Sequence, residues 1–163
     1  MAYLLDTNVF IQAKNLHYGL DFCPAFWDWL IVGNQAGRVF SIEKVGDEIA
    51  AGADELSVWA DGHKDLFLKP GADIFPALGT VSTWATSQNY EPTAVNTFLQ
   101  VADYYLVAQA LAQQHVVVTH EIAAATTKKI KIPNACIGLG VKVMTPWEML
   151  RTERARFVLG QAA

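Results

Sequence analysis

Two short apolar runs that never alternate constrain this chain most. "YLL", residues 3–5, and "VVVT", residues 116–119, present no polar face, and each stops at a polar residue. A half-exposed strand alternates apolar with polar side chains. A run without alternation belongs to a strand covered on both faces, as in a parallel sheet packed under helices. "RVFSI" reads as a further strand, and "KIKIP" and "VKVM" as shorter ones. Between them lie helical patterns. "NVFIQAKNL" is expected to begin a helix with Asn8 as its cap. "CPAFWDWLIVGNQAG" carries Pro24 in its first turn, a stripe of Phe26, Trp27, Leu30 and Ile31, and Gly37 as its stop. Ser41 is expected to cap "IEKVGDEIAAG", whose Ile42, Val45 and Ile49 share a face. "DELSVWADG" suits a short helix. From Lys69 to Pro92 prolines and glycines interrupt the pattern, leaving room only for short elements at "DIFPAL" and "TVSTWATS". One long helix is expected from Thr93 to Gln114, and a last one with Thr145 as cap, Pro146 first and Glu148 completing a capping box. Strands alternating with helices define an α/β domain with a largely parallel sheet.

The 163 residues fit one domain, residues 1–163, with a substantial core. At 52% hydrophobic and 17% charged the composition is globular. No apolar run is long enough to cross a membrane, and the start lacks the basic-then-apolar pattern of a signal peptide. Cys23 and Cys136 are far apart and form no C-x-x-C, which points to reduced thiols and a cytoplasmic setting. The net charge of −4 argues against broad nucleic-acid binding, although clustered carboxylates leave room for local basic patches.

Parallel sheets gather function at the carboxyl ends of their strands. Asp6 follows "YLL" and Glu121 follows "VVVTH". If both strands are central, these acids converge at one crevice. Asp103 shares a helix face with Leu99, Leu106, Val107 and Ala110, where a carboxylate requires a cation or a hydrogen-bond partner. Glu48 stands at the edge of the apolar face of its helix, whereas Glu43 and Asp47 read as solvated. Each acid also has a plainer reading. Asp6 suits a helix cap with Thr7 and Asn8. Glu121 suits the first turn of a helix "EIAAATT". Glu48 by itself is a surface residue. Taken together, carboxylates with no partner nucleophile suit a hard divalent cation, which takes oxygen ligands, activates water and offsets charge at phosphorus.

These residues resemble the PIN domain family, whose members are mostly metal-dependent ribonucleases. The resemblance rests on "LLDTNVFI", on "SIEKVGDEI" with Glu48, on "VADYYLVAQALAQQHVVVTHE" with Asp103, and on "KIPNACIGLGVKVMTPWEML". "DTNVFI", "FWDWL", "DELSVWA" and "KIPNAC" together resemble one PIN-like branch long catalogued as a domain of unknown function. The resemblance implies a three-layer sandwich with a central, mostly parallel sheet flanked by helices. It implies that Asp6, Glu48 and Asp103 hold Mg²⁺ or Mn²⁺, that Glu121, where many members carry Asp, assists them, and that Asn8 and Thr119 orient the acids. It further implies endoribonuclease activity on RNA, a toxin's place in a toxin–antitoxin pair with a protein antitoxin, and a homodimer. The alternative is a catalytically silent PIN fold that binds RNA or a protein.

Other features carry less. "HEIAA" at His120 resembles the start of a zinc-protease helix, but position 124 is Ala and the second histidine is missing. "DTN" resembles the start of haloacid-type phosphatases, but their second aspartate falls at Asn8. His17, His63, His115 and His120 form no spaced metal set, and His120 is expected to face solvent in a loop. Lys128, Lys129 and Lys131 read first as a solvated basic strand edge that blocks aggregation, and otherwise suit contact with RNA phosphates. Arg151, Arg154 and Arg156 fall on the last helix as read here. The five tryptophans, Trp27, Trp29, Trp59, Trp84 and Trp147, are expected mostly in the core, and an exposed one would mark an interface.

Overall fold

The computed structural model describes residues 1–160; the last three residues of the expected 1–163 unit lie outside the described residues. Strands β1 (Tyr3–Leu5), β2 (Val39–Ile42), β3 (Phe67–Leu68), β4 (Val116–Val118) and β5 (Val143–Met144) form one sheet in the order β3-β2-β1-β4-β5. Every pairing is parallel. The order reverses between β1 and β4, so the crevice beyond their carboxyl ends is the topological switch point of the sheet. Leu4, Leu5, Val117 and Val118 are fully buried, as non-alternating runs require. Each such side chain contributes roughly 1.5–3 kcal/mol by leaving water.

Helices α1 (Thr7–Gln12), α2 (Pro24–Gln35), α3 (Glu43–Ala51) and α4 (Glu55–Asp61) lie in the first half of the chain. Then come α5 (Ile74–Ser87), α6 (Pro92–Phe98), α7 (Ala102–Gln113), α8 (Ile132–Leu139) and α9 (Pro146–Thr152). A single π turn, Ala13–His17, extends α1. Gly37 ends the α2 turn at φ +71°, as its place after that helix required. The capping box of Thr145 and Glu148 forms at the start of α9.

Several expectations are corrected. Ser41 does not cap α3. It is the fully buried third residue of β2, and its hydroxyl donates to the Leu5 carbonyl at 2.5 Å. Asn8 does not cap α1; Asp6 does, accepting from the Thr7 amide. The expected helix from Thr93 to Gln114 is two, broken between Phe98 and Ala102. "DIFPAL" and "TVSTWATS" instead join in the single helix α5, because Pro76 falls within its first turn, where a missing N–H costs nothing. "KIKIP" is not a strand, since Ile132 and Pro133 open α8. "EIAAATT" is irregular rather than helical. Only Arg151 of the three arginines lies on α9, and Arg154 adopts φ +54° beyond its end.

Ser41 joins β2 to β1, the strand on one side of the switch point. Replacing it with alanine leaves a buried carbonyl short of a donor, so Ser41→Ala is expected to lower unfolding free energy by roughly 1–2 kcal/mol in urea denaturation.

Candidate metal centre

Asp6 sits one residue past β1, and only 5% of it is exposed. Its backbone amide donates to Val118 O at 2.9 Å, which locks the ends of β1 and β4 together. One carboxylate oxygen accepts from the Thr7 amide at 2.7 Å. The other accepts from the Thr119 hydroxyl at 2.8 Å. Capping and site formation therefore use the same side chain. Thr119 in turn receives Asn8 Nδ2 at 3.3 Å and the Glu121 amide at 3.0 Å, while Asn8 Oδ1 accepts from the His120 amide at 3.2 Å. Asn8 and Thr119 thus steady Asp6 and the segment after β4.

Asp103 lies in the first turn of α7 rather than midway along a longer helix, where its charge favours the helix dipole. Among the described residues, no other side chain donates a hydrogen bond to its carboxylate. Burial and the charges of Glu121 and Glu48 push its pKa up to about 6. Burial, and after it the Asp103 charge, pushes Asp6 up to about 7, against the two hydrogen bonds it accepts. Glu48 stands on α3 at the exposed rim and accepts from the Thr7 hydroxyl at 2.5 Å. That bond was not legible from spacing, because Thr7 and Glu48 are on separate elements.

Glu121 is occupied. Its Oε2 accepts from the Ile132 amide at 2.7 Å, at the first residue of α8, and its Oε1 lies 3.6 Å from Lys129 Nζ. It pins the loop between β4 and α8. Lys128 and Lys129 line a cavity of about 210 Å³ beside Asp103, with Lys131 just beyond at the start of α8. With no strand at "KIKIP", the strand-edge explanation of these lysines falls away.

The sheet therefore brings Asp6, Glu48, Asp103 and Glu121 within electrostatic reach of one another. Among the described residues, no three His, Cys, Asp or Glu side chains are close enough to share one ion as they stand. The acids form a charge cluster rather than a finished ligand shell. An all-oxygen, over-acidic donor set still fits a hard divalent cation, since Mg²⁺ keeps several waters and binds directly to only one or two carboxylates. Asp6 and Asp103 are the groups whose charge such an ion would relieve.

Histidine placement differs from expectation. His120 is half-buried, not solvent-facing, and its ring lies 5.6 Å from that of His17 and 4.9 Å from that of Trp147. Burial and His17 hold its pKa below the usual histidine value. His115 and His63 are engaged with the Ala2 amide and the Trp59 carbonyl. Trp147 is 38% exposed, whereas Trp27 is buried and Trp29, Trp59 and Trp84 are half-buried.

The fold is a PIN-like three-layer α/β sandwich, with helices flanking a parallel sheet. The chain belongs to the family described as Domain of unknown function (DUF4411), whose model matches residues 3–157. It is similar in structure to FitAcB from Neisseria gonorrhoeae, known from a crystal structure, with a TM-score of 0.56 and 18% identity over 89% of this chain and 98% of that one. At that identity the likeness concerns the fold. No curated protein gives a significant match.

Asp6 and Asp103 hold protons more tightly folded than unfolded, where an aspartate titrates near 3.8. The native state then binds more protons across the window from about 4 to 7, and stability falls as pH rises through it. The metal-free protein is expected to melt at a lower temperature at about pH 8 than at about pH 5. Asp103→Asn, which also removes a charge facing Asp6, is expected to reduce that drop in calorimetric scans across the same range.

Proposed function

We propose that this protein is a metal-dependent endoribonuclease that hydrolyses RNA phosphodiester bonds with Mg²⁺ or Mn²⁺. The observation that carries the reading is the pair Asp6 and Asp103, raised toward neutrality at the switch point of a PIN-like sheet. In this reading Asp6, Glu48 and Asp103 hold the ion, one or two of them directly and the rest through its waters, since no three are close enough to share it as they stand. A bound ion supplies an activated water and offsets the charge that develops at phosphorus. Thr119 and the Thr7 amide fix the Asp6 carboxylate, and Asn8 holds the backbone at His120. Thr7 orients Glu48. Glu121 assists by securing the α8 loop rather than by direct ligation, since both its oxygens have protein partners. Lys128 and Lys129, at the rim of the cavity beside Asp103, meet the substrate's phosphates, with Lys131 adjacent. The PIN resemblance extends the reading to the toxin of a toxin–antitoxin pair, with a protein antitoxin as partner and a homodimer as the assembly. No described helix is long and apolar enough to cross a membrane.

The engagement of Glu121 with Ile132 and Lys129 favours a second reading, a silent PIN fold that binds RNA or protein without cleaving it. Calorimetry separates the two. The ribonuclease reading expects Mn²⁺ binding that strengthens as pH rises through about 6 to 7, where Asp103 and Asp6 ionise. No binding of Mg²⁺ or Mn²⁺ at millimolar concentration would favour the silent fold.

Asp6→Asn and Asp103→Asn are each expected to reduce Mn²⁺-dependent RNA cleavage to background while leaving the circular dichroism spectrum native. Full cleavage by both variants would sink the assignment. Thr119→Val, which removes only an orienting hydroxyl, is expected to cost about 10–100-fold in metal affinity.

A further inference from the structure

Three elements deliver three rings to one place beside the acids. His17 ends the π turn, His120 follows Thr119, and Trp147 is the second residue of α9. His17 lies 5.2 Å from Trp147 at 79°, and His120 lies 4.9 Å from it at 64°. Each ring has a fixed base. The capping box sets the start of α9, Asn8 grips the His120 amide, and Tyr18, next to His17, stacks on Phe26 at 4.5 Å and 14°. None of the three serves the carboxylates, yet His120 is adjacent to the threonine that holds Asp6, so their Cα atoms are about 3.8 Å apart.

Basic charge stands beside the rings and beside Asp103. Exposed Arg151 stands one turn along α9 from Trp147 and lines a cavity of about 200 Å³ with it. Lys128 and Lys129 line a second cavity together with Asp103. Basic side chains thus stand beside Asp103 and beside the rings, in a chain whose net charge is −4.

We propose that His17, His120 and Trp147 form a stacking platform for one unpaired nucleobase beside the scissile phosphate. The proposal rests on the ribonuclease reading. A duplex hides its base faces, whereas a splayed strand offers them to aromatic rings while its phosphates meet basic groups. The platform suits a base better than a protein anchor. Its exposed area is small, a partly exposed indole with two half-buried imidazoles, and basic Arg151 shares its cavity.

The test measures anisotropy of a short fluorescein-labelled single-stranded RNA, and of a hairpin duplex, on the full chain carrying Asp103→Asn to prevent cleavage. Adding Trp147→Ala is expected to weaken single-strand binding about tenfold, with duplex binding unchanged. His17→Ala is expected to give a smaller loss, and Trp147→Phe to restore most of the affinity. The slope of affinity against salt is expected to fall with Lys128→Ala and Lys129→Ala but not with Trp147→Ala, because stacking releases no counterions. Unchanged single-strand affinity in a folded Trp147→Ala overturns the platform. If that variant does not fold, unchanged affinity in His17→Ala overturns it, and a loss there supports it. Failure of the Asp103→Asn parent to bind single-stranded RNA at all overturns the ribonuclease reading along with the platform. Binding by the parent that ignores Trp147 and His17 overturns the platform alone.

Discussion

The carboxylate of Asp6 sets the terms for this molecule. A charge that is 5% exposed costs several kcal/mol to desolvate and is tolerated only with donors in place. One donor is local, the amide of Thr7. The other, the Thr119 hydroxyl, comes from 113 residues away and arrives only if β4 lies parallel beside β1, with Leu5 opposite Val118. That pairing makes the β1/β4 boundary the place where strand order reverses, and so opens the crevice there. The hydrogen bonds do not discharge the site. Asp103 and Glu121 add repulsion, and Asp6 remains raised to about 7. A site in this condition favours protons or a cation.

Glu121 shows how the fold divides labour among similar residues. By position after β4 it looks like a further ligand, but its oxygens are committed to the first amide of α8 and to Lys129. An acid at a helix N-terminus is favourable in its own right, and here it ties the irregular segment after β4 to the helix that covers it. The same helix carries Cys136, fully buried, whose thiol is pushed up to about 12 by burial and by the charges of Asp6 and Glu121. That thiol stays protonated and serves as packing, consistent with the free cysteines expected from their wide separation.

Much of the scaffold was legible because burial imposes a pattern on neighbouring residues. "YLL" and "VVV" could only be covered strands, and Thr145-Pro146 with Glu148 could hardly be anything but a helix start. Ser41 misled because a serine before a helix has the chemistry of a cap, while its actual partner, the Leu5 carbonyl, is on another strand. "KIKIP" alternates like an edge strand, but Pro133 suits a first helical turn equally well, and β5 is supplied by Val143 and Met144. The interruption between α6 and α7 falls at Leu99–Val101, where no proline or glycine announces it. It moves Asp103 from a helix interior to a first turn.

What the sequence determined by itself was the set of parts: short buried strands, the helices whose caps lie within a few residues, and acids placed at strand ends. Those properties depend on contacts within a turn or two of chain, so local composition encodes them. Tertiary structure alone decided which parts meet. Glu48 reaches Thr7, Asp103 faces Glu121, and His17, His120 and Trp147 converge, because strand order and helix packing bring together residues with no spacing in common. Long-range electrostatics and ring contacts arise only after the chain has closed on itself, and for that reason the charge of the site and the aromatic face beside it could not be read residue by residue.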